Sequence, residues 1–258
     1  MAKWKDFPYD ASAYTHDAAA LKKHWARLHQ GDAEPLPKDE AVLAAWALFH
    51  AGRFQQAHDA GLKAGGAGVT VANKAQSIYA NYLETSEKTR LAMFLEVAER
   101  AEAQAKSDPQ AANAHYWAAY ALGRYSQGIS VAKALAQGLG HKVKSALEAT
   151  IALAPRHADA HVALGAFHAE VIDKVGKLLG KTQGADTATG LKMFKQALAL
   201  NPESAIARVE YANGLVMLEG DKRMKEAEQL YIEAAACVPL DAMERLDVEM
   251  AKGELEDE

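Results

Sequence analysis

After residue 10, apolar residues recur at three-to-four spacing along almost the whole chain, alanine is abundant, and no segment alternates apolar and polar positions as a half-buried strand would. The pattern predicts helix nearly throughout. It is interrupted at residues 31–37, 65–68, 108–109, 154–155, 180–184, 201–202 and 238–239, each marked by Gly or Pro. Proline lacks a backbone N–H and its fixed φ suits a first helical turn, so each X-Pro step is expected to close one helix and open the next.

Four of these prolines, Pro109, Pro155, Pro202 and Pro239, end similar runs: QAKSDP, TIALAP, ALALNP and AAACVP. Their spacings of 46, 47 and 37 residues exceed the roughly 34 residues of a helix-turn-helix repeat of the tetratricopeptide (TPR) kind, which implies a helical repeat carrying insertions. His161, Leu164, Gly165 and His168 stand where such a repeat places its first-helix residues, with histidine at the usual aromatic positions. Phe194, Ala197 and Pro202 fit the second helix, Ala227, Tyr231, Ala234 and Pro239 repeat it, and Gly52, Phe54, Ala57 and Ala64 mark an earlier copy. Small residues such as Ala45, Ala119, Gly165 and Ala212 allow close helix approach, and Leu164, Phe194 and Tyr231 fill the holes between pairs.

On these residues the chain resembles the TPR superfamily over 38–239. The run from Ala112 to Gly165, with Trp117, Gly128-Ile129, Gly138, Pro155, Ala160-His161 and Leu164-Gly165, is similar to the regulator-of-microtubule-dynamics proteins and to bacterial TPR proteins associated with TRAP transporters. The expected fold is all-α: a right-handed superhelix of about five helical hairpins at 38–64, 69–106, 110–154, 157–200 and 203–236. Insertions are expected in hairpins three (125–142) and four (175–190). Residues 1–37 are expected to form an N-terminal helix and linker, and 240–258 a capping helix with an acidic tail.

The resemblance implies a partner-binding scaffold, with a ligand-accommodating pore in the transporter-associated group. It also implies which first-helix positions line a concave groove. Carried onto this sequence, these select Asp39, Val42, Trp46, Phe49 and His50, then Asn113, Tyr116, Tyr120, Gly123 and Arg124, then Glu170 and Asn213 with their neighbours. Within this set Trp46, Phe49, Tyr116, Tyr120, Arg124, Glu170 and Asn213 are the candidate binding residues, since Trp, Tyr and Arg are the types in which binding energy concentrates. A protein or peptide partner is expected there. The alternative is a small apolar ligand carried in an enclosed cavity.

Composition narrows the remaining classes. The chain has 258 residues, half of them hydrophobic, and a net charge of −5, which argues against general nucleic-acid binding because phosphate contacts need clustered Lys and Arg. The charge is uneven: residues 110–200 hold 10 basic and 5 acidic groups, and residues 201–258 hold 6 and 15. A single cysteine, Cys237, provides neither a disulfide nor a thiolate metal cluster, and with no apolar run long enough to span a bilayer the expected location is the cytoplasm. Residues 176–182 (GKLLGKT) place three residues between the glycines where a phosphate-binding loop has four, and follow a helix instead of a strand. His157, His161 and His168 fall at helical spacing without the glutamate of a metalloprotease motif, so packing or capping roles are expected. Neither a nucleophile elbow nor a dinucleotide fingerprint is present, and no catalytic residue, cofactor or metal site is expected.

Overall fold

The computed structural model describes residues 3–256. Thirteen α-helices and no strand occur among them: α1 (Ala18–Leu28), α2 (Glu40–His50), α3 (Phe54–Ala64), α4 (Gly68–Tyr82), α5 (Glu87–Ser107), α6 (Ala112–Gln127), α7 (Val131–Ala136), α8 (Leu139–Leu153), α9 (Ala158–Thr182), α10 (Thr187–Leu200), α11 (Ala205–Glu219), α12 (Met224–Ala235) and α13 (Ala242–Glu256). Four of the expected hairpins are helix pairs in contact, α2/α3, α4/α5, α9/α10 and α11/α12, whereas in the expected third α6 packs on α5 and α8 on α9. Helix α1 precedes them and α13 follows. Starts are fixed by side-chain caps that accept otherwise orphaned backbone N–H groups: Asp17 from Ala20, Asp39 from Ala41, Ser86 from Thr89, Asp186 from Thr189 and Ser204 from Ala207. The insertion in the third hairpin contains α7. The insertion in the fourth lengthens α9 past Gly176, whose φ of +78° breaks the helical backbone.

The chain folds as two compact units. The first comprises the chain up to His29, Glu34–Ser130 and Leu240–Met243; the second comprises Gln30–Ala33, Val131–Pro239 and the chain from Glu244 on. Helices α6 and α8, expected to pair as the third hairpin, thus belong to different units.

In the first unit α4 packs on α2, α3, α5 and α6, α2 also on α3, and α5 also on α6. Helices α3 and α4 cross closely at Gly61 and Gly68, where a Cβ on either would lie 2.5 Å from the other's carbonyl oxygen. The α4/α5 pair is joined by a polar ladder at helical spacing. Gln104 Nε2 donates to Thr70 Oγ1 (2.9 Å), Arg100 Nε to Asn73 Oδ1 (2.6 Å), an Arg100 terminal nitrogen to Gln76 Oε1 (2.7 Å), and Gln76 Nε2 to Glu96 Oε2 (2.9 Å). Each group satisfies the next, so polar side chains are tolerated between two packed helices.

In the second unit α9 packs on α8, α10 and α11, and α11 on α12. Its centre is Phe194 of α10, fully buried and stacked on Tyr211 (5.4 Å between ring centroids). A Cβ at Gly165 of α9 would lie 2.9 Å from that ring, and one at Gly214 of α11 2.3 Å. The two glycines therefore create the slot that the phenylalanine fills. Residues 30–33 join this unit through Gln30 Nε2 donating to the Leu200 carbonyl (3.1 Å) and the Asp159 N–H donating to the Gly31 carbonyl (3.0 Å). Val248 and Ala251 of α13 pack on Ala205, Val209 and Ala234, covering the last hairpin as a cap. Val209 thus lies under the cap. Cys237 sits just beyond the end of α12, packed against the same cluster with its thiol donating to the Glu233 carbonyl.

Candidate functional site

The candidate residues of the first unit occupy two environments. Trp46 and Phe49 of α2 are fully buried, and Tyr116 of α6 is buried as well. Around Trp46 the rings interlock: Trp25 and His29 of α1 meet it edge-on at 6.1 and 4.6 Å, and Phe49 at 5.5 Å. Helix α1, anchored by the Trp25 indole N–H donating to the Glu34 carbonyl (2.8 Å), brings its Trp25 and His29 against this face of α2. Lys74, reaching in from α4 and itself buried, stands 5.5 Å from the Trp46 ring centroid and 5.1 Å from that of Phe49. A cation over aromatic faces in a desolvated site gains more than it would at the surface.

Beside these rings is a buried polar chain that sequence reasoning missed. His50 Nδ1 lies 2.7 Å from Asp241 Oδ2, and His50 Nε2 lies 3.3 Å from His29 Nε2. A carboxylate at Nδ1 fixes the orientation of the His50 ring, whose other nitrogen meets a second imidazole. Nearby, burial first and then the His50 and His24 imidazoles hold His16 below its ordinary pKa. One signal was available in the sequence: Lys74 is the only charged residue of α4, and a lone charge in an otherwise uncharged, deeply packed helix marks a partnered position. Asp241 carries no such mark, because its partner lies 191 residues away.

Tyr120 and Arg124 of α6 differ from these. Both are partly exposed, and the Arg124 guanidinium carbon stands 5.3 Å from the Tyr120 ring centroid. Behind them Tyr120 leans on Trp117 (5.2 Å) and Tyr116 (6.1 Å), so buried rings of the same helix support the exposed one. Arg124 also donates to Gln127 Oε1 (3.3 Å).

Glu170 and Asn213 lie in the second unit, both half-buried. Asn213 Oδ1 accepts from the Tyr231 hydroxyl (2.7 Å), which ties it to α12. His157, the cap of α9, and His161 and His168 within it spend ring nitrogens on backbone: His157 Nδ1 accepts from Ala160, His161 Nδ1 contacts the His157 carbonyl, and His168 Nδ1 accepts the Asp186 N–H (3.1 Å). His168 is held below its ordinary pKa by burial and then by Lys144. No group of three His, Cys, Asp or Glu side chains suited to a metal occurs among the described residues. Residues 176–182 lie on α9, with Gly176 at the break and no strand before them. A cleft of about 450 Å³ runs along α10, lined by Ala188, Leu191, Lys192, Lys195 and Gln196, and it is an open surface feature.

Comparison with solved structures places the architecture. The chain is similar to TTC0263, a thermophilic TPR protein of Thermus thermophilus, with 18% identity, a TM-score of 0.58, and coverage of 83% of this chain and 97% of that one. It also matches the MamA RS-1 ArsTM double mutant at 15% identity and a TM-score of 0.38, covering 85% of this chain and 98% of the other. The fold is TPR-like. Comparison with curated proteins finds no match. The family model described as regulator of microtubule dynamics protein 1-3 matches residues 69–251, well over half of the sequence and reaching into both units, and the chain belongs to that family.

Proposed function

We propose that the chain is a non-enzymatic interaction scaffold that holds a protein or peptide segment against the exposed face of α6, with Tyr120 as the apolar anchor and Arg124 as the polar one. TPR-like helical arrays are in general protein-interaction scaffolds, and the reading adds a location to that. The observation that carries it is the pairing of Arg124 over Tyr120, partly open to solvent and backed by the buried Tyr116 and Trp117. A ring held by buried neighbours loses little conformational freedom on binding. Tyr116 supports this surface from beneath, and Trp46 and Phe49 are core where α2 meets Trp25, His29 and Lys74. The family's name points to microtubules as the first partner to try.

The test is capture from native lysate and co-sedimentation with polymerised tubulin, each set beside a thermal melt, for wild type, Tyr120→Ala and Arg124→Ala. Each substitution is expected to weaken capture by about 1 to 4 kcal/mol with little change in melting temperature. Undiminished capture by both folded variants would refute the reading.

A further inference from the structure

The insertions of the second unit share a property independent of the α6 face. Residues 131–147 carry Lys133, Lys142 and Lys144, and residues 174–185 carry Lys174, Lys177 and Lys181. Neither stretch contains Asp or Glu, although Glu148, Asp173 and Asp186 adjoin them, Lys144 pairs with Glu148 Oε1, and the chain as a whole is at −5. The two stretches meet, for a Cβ on Gly184 would lie 3.3 Å from Lys144 Cε, and α7 packs on α8 from the same insertion. Among these lysines stand uncovered apolar side chains: Leu178 is 84% exposed and Leu179 59%, and Val131 and Leu135 of α7 are also exposed. The backbone explains the leucine pair. Gly176 breaks α9, and Gly180 comes back against Ile172, where a Cβ would lie 3.1 Å from Ile172 Cγ1. Residues 177–179 are thereby left on the outer side of a short turn, all three exposed.

Isolated exposed leucines are ordinary, but two adjacent ones at a glycine-defined turn ringed by lysines form an amphipathic tip. Such a tip has no walls with which to grip a peptide. It matches instead the interfacial layer of a bilayer, where a few apolar groups sink to the level of the acyl chains while basic groups meet anionic headgroups. We propose that these insertions dock the second unit on an anionic lipid surface, with Leu178 and Leu179 entering the interface and the surrounding lysines supplying the attraction. The attachment is peripheral, since no helix among the described residues is long and apolar enough to cross a membrane.

The experiment is sedimentation of the full chain with vesicles of phosphatidylcholine alone or mixed with phosphatidylserine, at low and high salt. Wild type should sediment with the mixed vesicles, release as salt rises, and bind the neutral ones about tenfold or more weakly. The pairs Leu178→Ser/Leu179→Ser and Lys177→Gln/Lys181→Gln should each weaken that binding by about tenfold. Leu178→Trp keeps an apolar tip, and the fluorescence of the introduced indole should shift to the blue on the mixed vesicles whatever the serine variant does to folding. Failure of wild type to sediment, equal binding to neutral vesicles, retained binding by the folded serine pair, or an unshifted emission from the Leu178→Trp variant would each overturn the proposal. Failure of the wild type would leave an acidic protein segment as the partner of this patch. None of these outcomes bears on Tyr120 or Arg124.

Discussion

The α4/α5 pair of the first unit and the α9/α10/α11 group of the second solve one problem by opposite means. Both hold neighbouring helices of a repeat array together. In the second unit the solution is shape: two glycines remove the side chains that would collide with Phe194, and the ring fills the slot. In the first it is a chain of hydrogen bonds from Thr70 through Gln104, Asn73 and Arg100 to Gln76 and Glu96. A shape solution concentrates its energy in one residue. A polar ladder spreads it, and its members matter chiefly because removing one strands the others.

The sharpest test of that contrast is Phe194→Ala, which opens a cavity between two glycines that cannot grow to fill it. The expected loss is about 3 to 5 kcal/mol, measured by urea unfolding. A loss near that of an exposed alanine substitution would mean that the slot collapses and the packing is not specific. Arg100→Ala comes next, at about 1 to 3 kcal/mol, because it leaves the Asn73 and Gln76 oxygens without their donor. Here a second substitution sharpens the comparison. Arg100→Met combined with Asn73→Leu replaces both sides of one rung by apolar groups and should cost less than Arg100→Ala alone; a cost equal to the sum of the separate effects would show that the two side chains are uncoupled and that the rung contributes nothing as a pair.

The smallest effect is a pH dependence where α9 meets the start of α10. Burial and then Lys144 lower the pKa of His168, and its neutral Nδ1 accepts the Asp186 N–H. The unfolded chain binds the proton more readily, so this contribution to stability is complete above about pH 6.5 and is lost as pH falls through the lower folded value. Unfolding free energies at about pH 7.5 and about pH 5.5 should differ more for wild type than for His168→Gln. Identical slopes would assign the pH dependence to another group.

The same contrast explains what could be read from the sequence. Gly165, Phe194 and Pro202 stand at repeat spacing because shape complementarity requires particular sizes at particular positions, and sizes are visible in a sequence. Asn73, Gln76, Arg100 and Gln104 look like solvated helix faces, since nothing in their types tells whether the partner is water or one another. The second hairpin could therefore be bounded only by its breaks. Among the candidate binding residues the limit is of another kind. Trp46 and Tyr120 occupy similar first-helix positions and have similar chemistry, yet one is buried and the other reaches the surface. The difference is made by α1 and Lys74, whose positions against α2 no local pattern encodes.

The Asp241 carboxylate has a consequence for the order in which the chain becomes a protein. The first unit closes its polar chain with a residue 191 positions beyond His50, so its interior stays incomplete while nearly all of the second unit is being made. At about 5 to 20 residues per second, that interval lasts on the order of 10 to 40 s. Throughout it the imidazoles of His29 and His50 have water where the carboxylate will later sit. The first unit thus waits on a residue made only after most of the second.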